Sequence, residues 1–310
     1  MQDTIGIDIS KDTLDAHRQT DGRHARFGND RAGLMALRRW IGKAPVRVVY
    51  EATGRYHRDM EGALDAAGHA LVKVNPGRAR RFAQAAGYGA KTDRVDAAML
   101  ARMGMALDLD ATPVRSESMH EIKELHVARL GLIKDRTACR NRLQAARNKV
   151  VLAQLRARLR QVEGQIEQID TELHRLVMAD PALAHRFGIL LSIPGIGPVA
   201  GIAMIVEMPE LGALDGKEAA SLAGLAPITR ESGKWKGQSR IGGGRRGLRR
   251  ALYMPALVTI RHNTELAQVY RTLCGAGKPA KVAITAVMRK LLLLANALIR
   301  DDRKWAKTAP

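Results

Sequence analysis

The sequence predicts two architectures in series: an α/β N-terminal domain, then a helical remainder made of a coiled-coil connector and a mainly helical C-terminal domain. Three observations carry this. Short apolar runs alternate with helically spaced segments up to Val74. A heptad seam runs through 152–176. From residue 186 onward the helical spacing is broken by a glycine-rich basic loop at 230–247.

The first domain is placed at 1–112. TIGIDI (4–9), VRVVY (46–50) and ALVKV (70–74) read as strands, and 31–42 and 57–67 have helical spacing between them. The domain ends near Pro113. The connector is placed at 113–180, and no proline occurs between Pro113 and Pro181. Within it Leu152, Leu155, Leu159, Val162, Ile166, Ile169, Leu173 and Leu176 repeat at alternating spacings of 3 and 4. Such a seam serves an intrachain hairpin or self-association equally well. Upstream, Ile122, Leu125, Ile133 and Leu143 suggest a second, less regular helix.

The C-terminal domain spans 181–310. Residues 188–206 carry no charge over a length that could span a bilayer. Pro194, Gly195, Gly197 and Pro198 would break such a span, so the stretch reads as a turn between two short helices. The turn PGIGP resembles a helix-hairpin-helix, whose backbone N–H groups at Gly195 and Gly197 can meet a phosphate; the alternative is a buried core turn. The apolar tail 281–300 contains Arg289 and Lys290 and reads as a core helix.

Composition narrows the function. The chain of 310 residues has a formal charge of +20, which favours a polyanionic partner, nucleic acid before membrane. Residues 186–310 hold 20 basic against 8 acidic side chains, the expected footprint for a phosphate backbone. Two cysteines, Cys139 and Cys274, exclude a disulfide framework and a cysteine-rich zinc site. No signal peptide is read at MQDTIGIDIS, so a cytoplasmic protein is expected.

Four acids stand out. Asp8 lies inside an apolar strand, where a carboxylate is costly unless paired, exposed at the sheet edge or bound to a metal. Glu51 ends the strand VRVVY, where open α/β sheets place ligands. Asp93 and Asp96 are three apart at the start of a helix and share a face. Taken alone this pair reads as an N-cap with an exposed neighbour. Together with Asp8 and Glu51, it reads as an oxygen-only site for Mg²⁺ or Mn²⁺, of the kind that promotes displacement at phosphodiesters. Lys91 and Arg94 beside the pair would face a nucleic-acid backbone. Asp12, Asp15 and Asp59 read as solvated or capping residues.

Residues 230–250 carry Arg230, Lys234, Lys236, Arg240, Arg245, Arg246, Arg249 and Arg250 against one acid, Glu231. Six glycines let this backbone approach a phosphate closely. By its residues alone the segment is a flexible basic loop that grips nucleic acid.

GIDISKDTLD, VYEATGRYH and AKTDRVDAAMLA resemble the three RuvC-like motifs of the DEDD transposases of bacterial insertion sequences, the IS-one-ten type, which includes Piv-type DNA invertases. IPGIGPVAGIAMIVEM and LAGLAPITRESGKWKGQSRIGGGRRGLRRALY resemble the C-terminal transposase domain of that family. The resemblance implies an RNase H-like N-terminal fold that binds divalent metal through a tetrad, here Asp8, Glu51, Asp93 and Asp96. It implies a serine nucleophile, here Ser232, with Ser239 the runner-up because ESGKWKGQS departs from the usual serine pair. It further implies a recombinase acting on donor and target DNA, guided by a noncoding bridge RNA, and assembled as a dimer or tetramer. Three other readings compete: a RuvC-like nuclease or junction resolvase without a covalent serine step, a non-catalytic nucleic-acid scaffold, and an actin-like ATPase. The last lacks a second glycine-rich phosphate loop.

Overall fold

A computed structural model describes residues 3–52, 54, 56–88, 92–229, 231–233, 235–237 and 239–306, with Trp235 and Lys236 described by backbone alone. The chain divides into two compact units, Met1–Arg115 and Ser116–Pro310.

In the first unit the described residues form one five-stranded sheet of order β3-β2-β1-β4-β5. Its strands are β1 (Thr4–Ile9), β2 (Thr13–Arg18), β3 (His24–Gly28), β4 (Arg47–Glu51) and β5 (Ala70–Val74). β1, β2 and β3 are antiparallel neighbours, whereas β4 and β5 run parallel to β1. Helices α1 (Arg31–Ile41) and α2 (Arg58–Asp65) cover one face, where Ile5, Ile7, Leu14, Leu37, Val48, Met60 and Leu64 form a core. Helices α3 (Pro76–Ala85) and α4 (Asp93–Ala106) cover the other, with Val49, Val72, Met99, Leu100 and Met103 between.

Two strands depart from the expected layout. β2 and β3, a hairpin, do not read as apolar runs, because β2 alternates Leu14 and Ala16 with Asp15 and His17 on the opposite face.

Gly6 fixes how α4 sits. A Cβ there would lie 2.0 Å from the Ala97 carbonyl oxygen and 2.4 Å from the Ala101 nitrogen, so only glycine permits this approach. α4 therefore runs against β1, and its first turn lies over the end of β1 that bears Asp8. Thr92, not Asp93, caps α4: its hydroxyl accepts from the Val95 N–H.

The second unit is mostly helical. α5 (Glu117–Ala145) and α6 (Lys149–Ala179) form an antiparallel hairpin. The heptad seam faces α5 of the same chain, with Val162, Ile166, Leu173 and Leu176 buried. Ion pairs Arg129–Asp170 and Arg140–Glu163 tie the two helices together.

The core of this unit gathers α7 (Pro181–Ser192), α8 (Pro198–Glu207), α9 (Gly216–Leu222), α10 (Arg246–His262), α11 (Thr264–Gly275) and α12 (Ala280–Arg300). α12 is long and apolar enough to cross a membrane. It packs instead as a core helix through Val287, Leu291, Leu292, Ala295 and Leu298. The uncharged stretch 188–206 folds as the end of α7, a turn and α8. Among the described residues four two-residue strands interrupt the helices: β6 (Pro227–Ile228), β7 (Glu231–Ser232), β8 (Trp235–Lys236) and β9 (Arg240–Ile241).

Candidate functional site

Asp8 is half-buried on β1, paired in register with Asp15 of β2. Burial, then the charges of Asp96 and Asp93, push its carboxyl from 3.8 up to about 6. Asp93 and Asp96, at the start of α4, are thus near enough for their charges to act on Asp8. Glu51 follows Tyr50, whose register partner on β1 is Ile7, so it lies one strand over from Asp8 on the same face of the sheet. Glu51 is not among the charges acting on Asp8.

Among the described residues no group of three or more His, Cys, Asp or Glu side chains is drawn close enough to hold a metal ion. The donors nonetheless fit a hard divalent cation in kind, because they are all oxygens, and burial together with Asp96 and Asp93 makes Asp8 resist ionisation.

Asp15 corrects the expectation that it is solvated or a cap. It is 2% exposed. Arg26 Nε donates to both of its oxygens at 3.0 Å, and His24 Nε2 lies 3.2 Å away. The other end of the same guanidinium donates to Asp93 Oδ2 at 2.9 Å. A protein cation therefore already stands inside the acid cluster. Arg94 is exposed on α4 and helps, after burial and His24, to lower the His17 pKa. Lys91 lies outside the described residues.

A second polar group, unforeseen in the sequence, gathers Tyr50, His57, Glu61 and Lys73. Buried Glu61 of α2 accepts from the Tyr50 hydroxyl and pairs with Lys73 Nζ at 2.5 Å. His57 Nε2 lies 3.2 Å from the same Nζ. Burial and Glu61 push the Tyr50 hydroxyl far above its ordinary range. The available signal was Lys73 inside the apolar strand ALVKV, a cation in an apolar run that calls for an anionic partner.

In the second unit the glycine-rich segment is folded. β6 pairs with β9, and within the segment they enclose β7 pairs with β8, setting Ser232 opposite Trp235 beside a turn at Gly233. Ser232 and Ser239 are both exposed.

The basic residues here divide by task. Arg245 grips both Glu210 oxygens at 2.6 and 2.7 Å and the Glu207 carbonyl at 2.7 Å. Arg249 donates to the Ala223 and Gly243 carbonyls. These two close the base of the segment. Arg240, Arg246 and Arg250 are exposed. Arg230 and Lys234 lie outside the described residues, as does the side chain of Lys236.

The two glycines of PGIGP also differ. Gly195 has φ +98, and a Cβ there would lie 2.3 Å from Thr259 Oγ1, so it packs against α10. Gly197 is exposed at the N-cap of α8. Glu207 lies over Gly247 in the first turn of α10, and contact with His126 holds its carboxyl below the usual range.

Comparison with known proteins shows the family. Residues 5–177 match the transposase model of the DEDD IS110 type, and 188–271 match that of the IS116/IS110/IS902 transposase family. The pilin gene-inverting protein of Moraxella bovis is 31% identical over 98% of this chain and 97% of its own length. That of Moraxella lacunata is equally similar. The IS900 42 kDa protein of Mycobacterium paratuberculosis is 34% identical over 36% of this chain and 29% of its own. The chain belongs to the IS110-type family of transposases and DNA-inverting recombinases.

Proposed function

We propose that the first unit is a RuvC/RNase H-like metal domain, and that the protein cuts and rejoins DNA through a serine nucleophile on the second. The strand order β3-β2-β1-β4-β5, with one antiparallel hairpin beside parallel strands, supports the fold assignment. One observation supports the chemistry: burial, and then the charges of Asp96 and Asp93, raise the Asp8 carboxyl to about 6, so an added cation would be favoured beside it.

Asp8, Asp93 and Asp96, joined by Glu51, would hold Mg²⁺ or Mn²⁺. When bound there, the ion would screen the acids and polarise a phosphodiester oxygen. Ser232, exposed beside a hairpin turn, supplies the attacking hydroxyl. Its Oγ bonds to phosphorus as one phosphorus–oxygen bond to deoxyribose breaks. The serine proton leaves to solvent, and the departing oxygen takes one up. The phosphoserine ester keeps the bond available for rejoining. Arg240, Arg246 and Arg250 contact DNA phosphates, joined by Arg94, Lys91, Arg230, Lys234 and Lys236. Arg245 and Arg249 shape the segment that presents them. A noncoding bridge RNA as guide and a dimer or tetramer as the working assembly complete the proposal, on the strength of the family resemblance.

Calorimetric titration with Mn²⁺ tests the metal site. Uptake by the wild type that is lost in Asp8→Asn and Asp96→Asn is expected; equal uptake by all three would remove the acids from the role.

A further inference from the structure

α10 sorts its arginines by direction. Arg245, its N-cap, and Arg249 turn inward onto Glu210 and backbone carbonyls. Arg246, Arg250 and Arg261 turn outward, and none of them makes a hydrogen bond or ion pair among the described residues. At 100° per residue these three share one arc with Tyr253, Met254 and Val258. Those three apolar side chains are 42%, 61% and 38% exposed. The opposite side, Leu248, Leu252, Pro255, Ala256 and Thr259, is buried. α10 contains no acidic residue. The face runs about 22 Å from Arg246 to Arg261 at helical rise.

Neither bland explanation fits this face. A merely solvated helix face would not expose tyrosine, methionine and valine side by side. A face built only for duplex phosphates would need the arginines and not the apolar middle, because a duplex presents charge outward and keeps its bases stacked. Arginines flanking an exposed ring suit a strand whose bases are unpaired: phosphates meet guanidinium groups while a base stacks on the ring.

We propose that this face of α10 binds single-stranded DNA, the unpaired strand that a recombinase exposes during exchange, with Tyr253 as the stacking platform and Met254 as its apolar flank. The inference rests on membership of a DNA recombinase family. It does not depend on Ser232 or on the metal site.

The test uses the full-length protein and fluorescence anisotropy, with an unstructured single-stranded DNA and the same sequence as duplex DNA and as single-stranded RNA. Tyr253→Ala is expected to weaken single-stranded DNA binding roughly tenfold. It should leave duplex binding unchanged, and Tyr253→Phe should restore the wild-type value. The double variant Arg246→Gln/Arg250→Gln should weaken both DNA forms. These side chains are exposed, so circular dichroism should remain that of the wild type. Unchanged single-strand affinity in Tyr253→Ala, or an equal loss on duplex, would overturn the stacking role while leaving DNA binding intact. Tighter binding of the RNA with the same Tyr253 dependence would overturn the DNA assignment. Failure of the wild type to bind any DNA would instead count against the recombinase reading itself.

Discussion

Arg26 holds Asp93: its Nη2 donates to Asp93 Oδ2 at 2.9 Å, while its Nε is anchored at 3.0 Å on both oxygens of buried Asp15. One guanidinium thus ties the β2–β3 hairpin to the first turn of α4. Replacing it with a neutral side chain leaves Asp15 buried with only His24 beside it. Arg26→Gln is expected to lower the stability of the protein, read from denaturant unfolding. An unchanged midpoint would mean that the pair contributes nothing.

Asp8 gives a pH prediction. Its folded pKa, about 6, lies above the ordinary 3.8, so the folded state binds the proton more tightly. Stability is therefore lost as pH rises from about 3.8 to about 6 and stays low above that. Asp8→Asn should match the wild type in acid and exceed it at neutral pH, by on the order of 1 kcal/mol after discounting for solvent at this half-buried group. Thermal melts at several pH values check this; a variant less stable than the wild type at neutral pH contradicts it.

Lys73, partly exposed, pairs with buried Glu61. Lys73→Met strands the Glu61 carboxylate and should cost about 3 kcal/mol in denaturant unfolding. Tyr50→Phe removes one donor to that carboxylate and should cost about 1–2 kcal/mol. A Lys73→Met variant as stable as the wild type would show that the pair contributes nothing.

Gly195 and Gly197 should respond oppositely to alanine. Gly195→Ala forces a side chain into a left-handed conformation and against Thr259, for a loss of about 2 kcal/mol or more. Gly197 has φ −90 and nothing within 4 Å of a built Cβ, so Gly197→Ala should change stability by less than about 1 kcal/mol. Melting temperatures of the two variants compare them directly.

The arginines around α10 should separate stability from binding. Arg245→Ala breaks the Glu210 pair and should cost about 2 kcal/mol. Arg246→Ala and Arg250→Ala should be nearly neutral in stability. Each should lower the salt slope of DNA affinity by about 1. A stable Arg245→Ala with an altered slope would reverse this division.

Much of the frame was legible because it is periodic. Three strands, the α4 start and the heptad seam follow from the spacing of apolar residues, and Asp8 stands out as a charge in an apolar run. β2 and β3 were not legible, since TLDAHR and HARFG look polar until β1 is placed beside them. Missing them hid Asp15 and Arg26, whose meaning is wholly tertiary. The glycine segment read as a flexible loop because two-residue strands have no periodic signal. The inward turn of Arg245 and Arg249 depends on Glu210 and on carbonyls far away in sequence, which composition does not reveal.

The serine step is tested most directly by trapping protein–DNA adducts on denaturing gels with Mn²⁺ and end-labelled DNA, and mapping the modified peptide by mass spectrometry. The account predicts an adduct on Ser232 that disappears in Ser232→Ala and persists in Ser239→Ala. An adduct that survives in Ser232→Ala, or that maps to another residue, would contradict it.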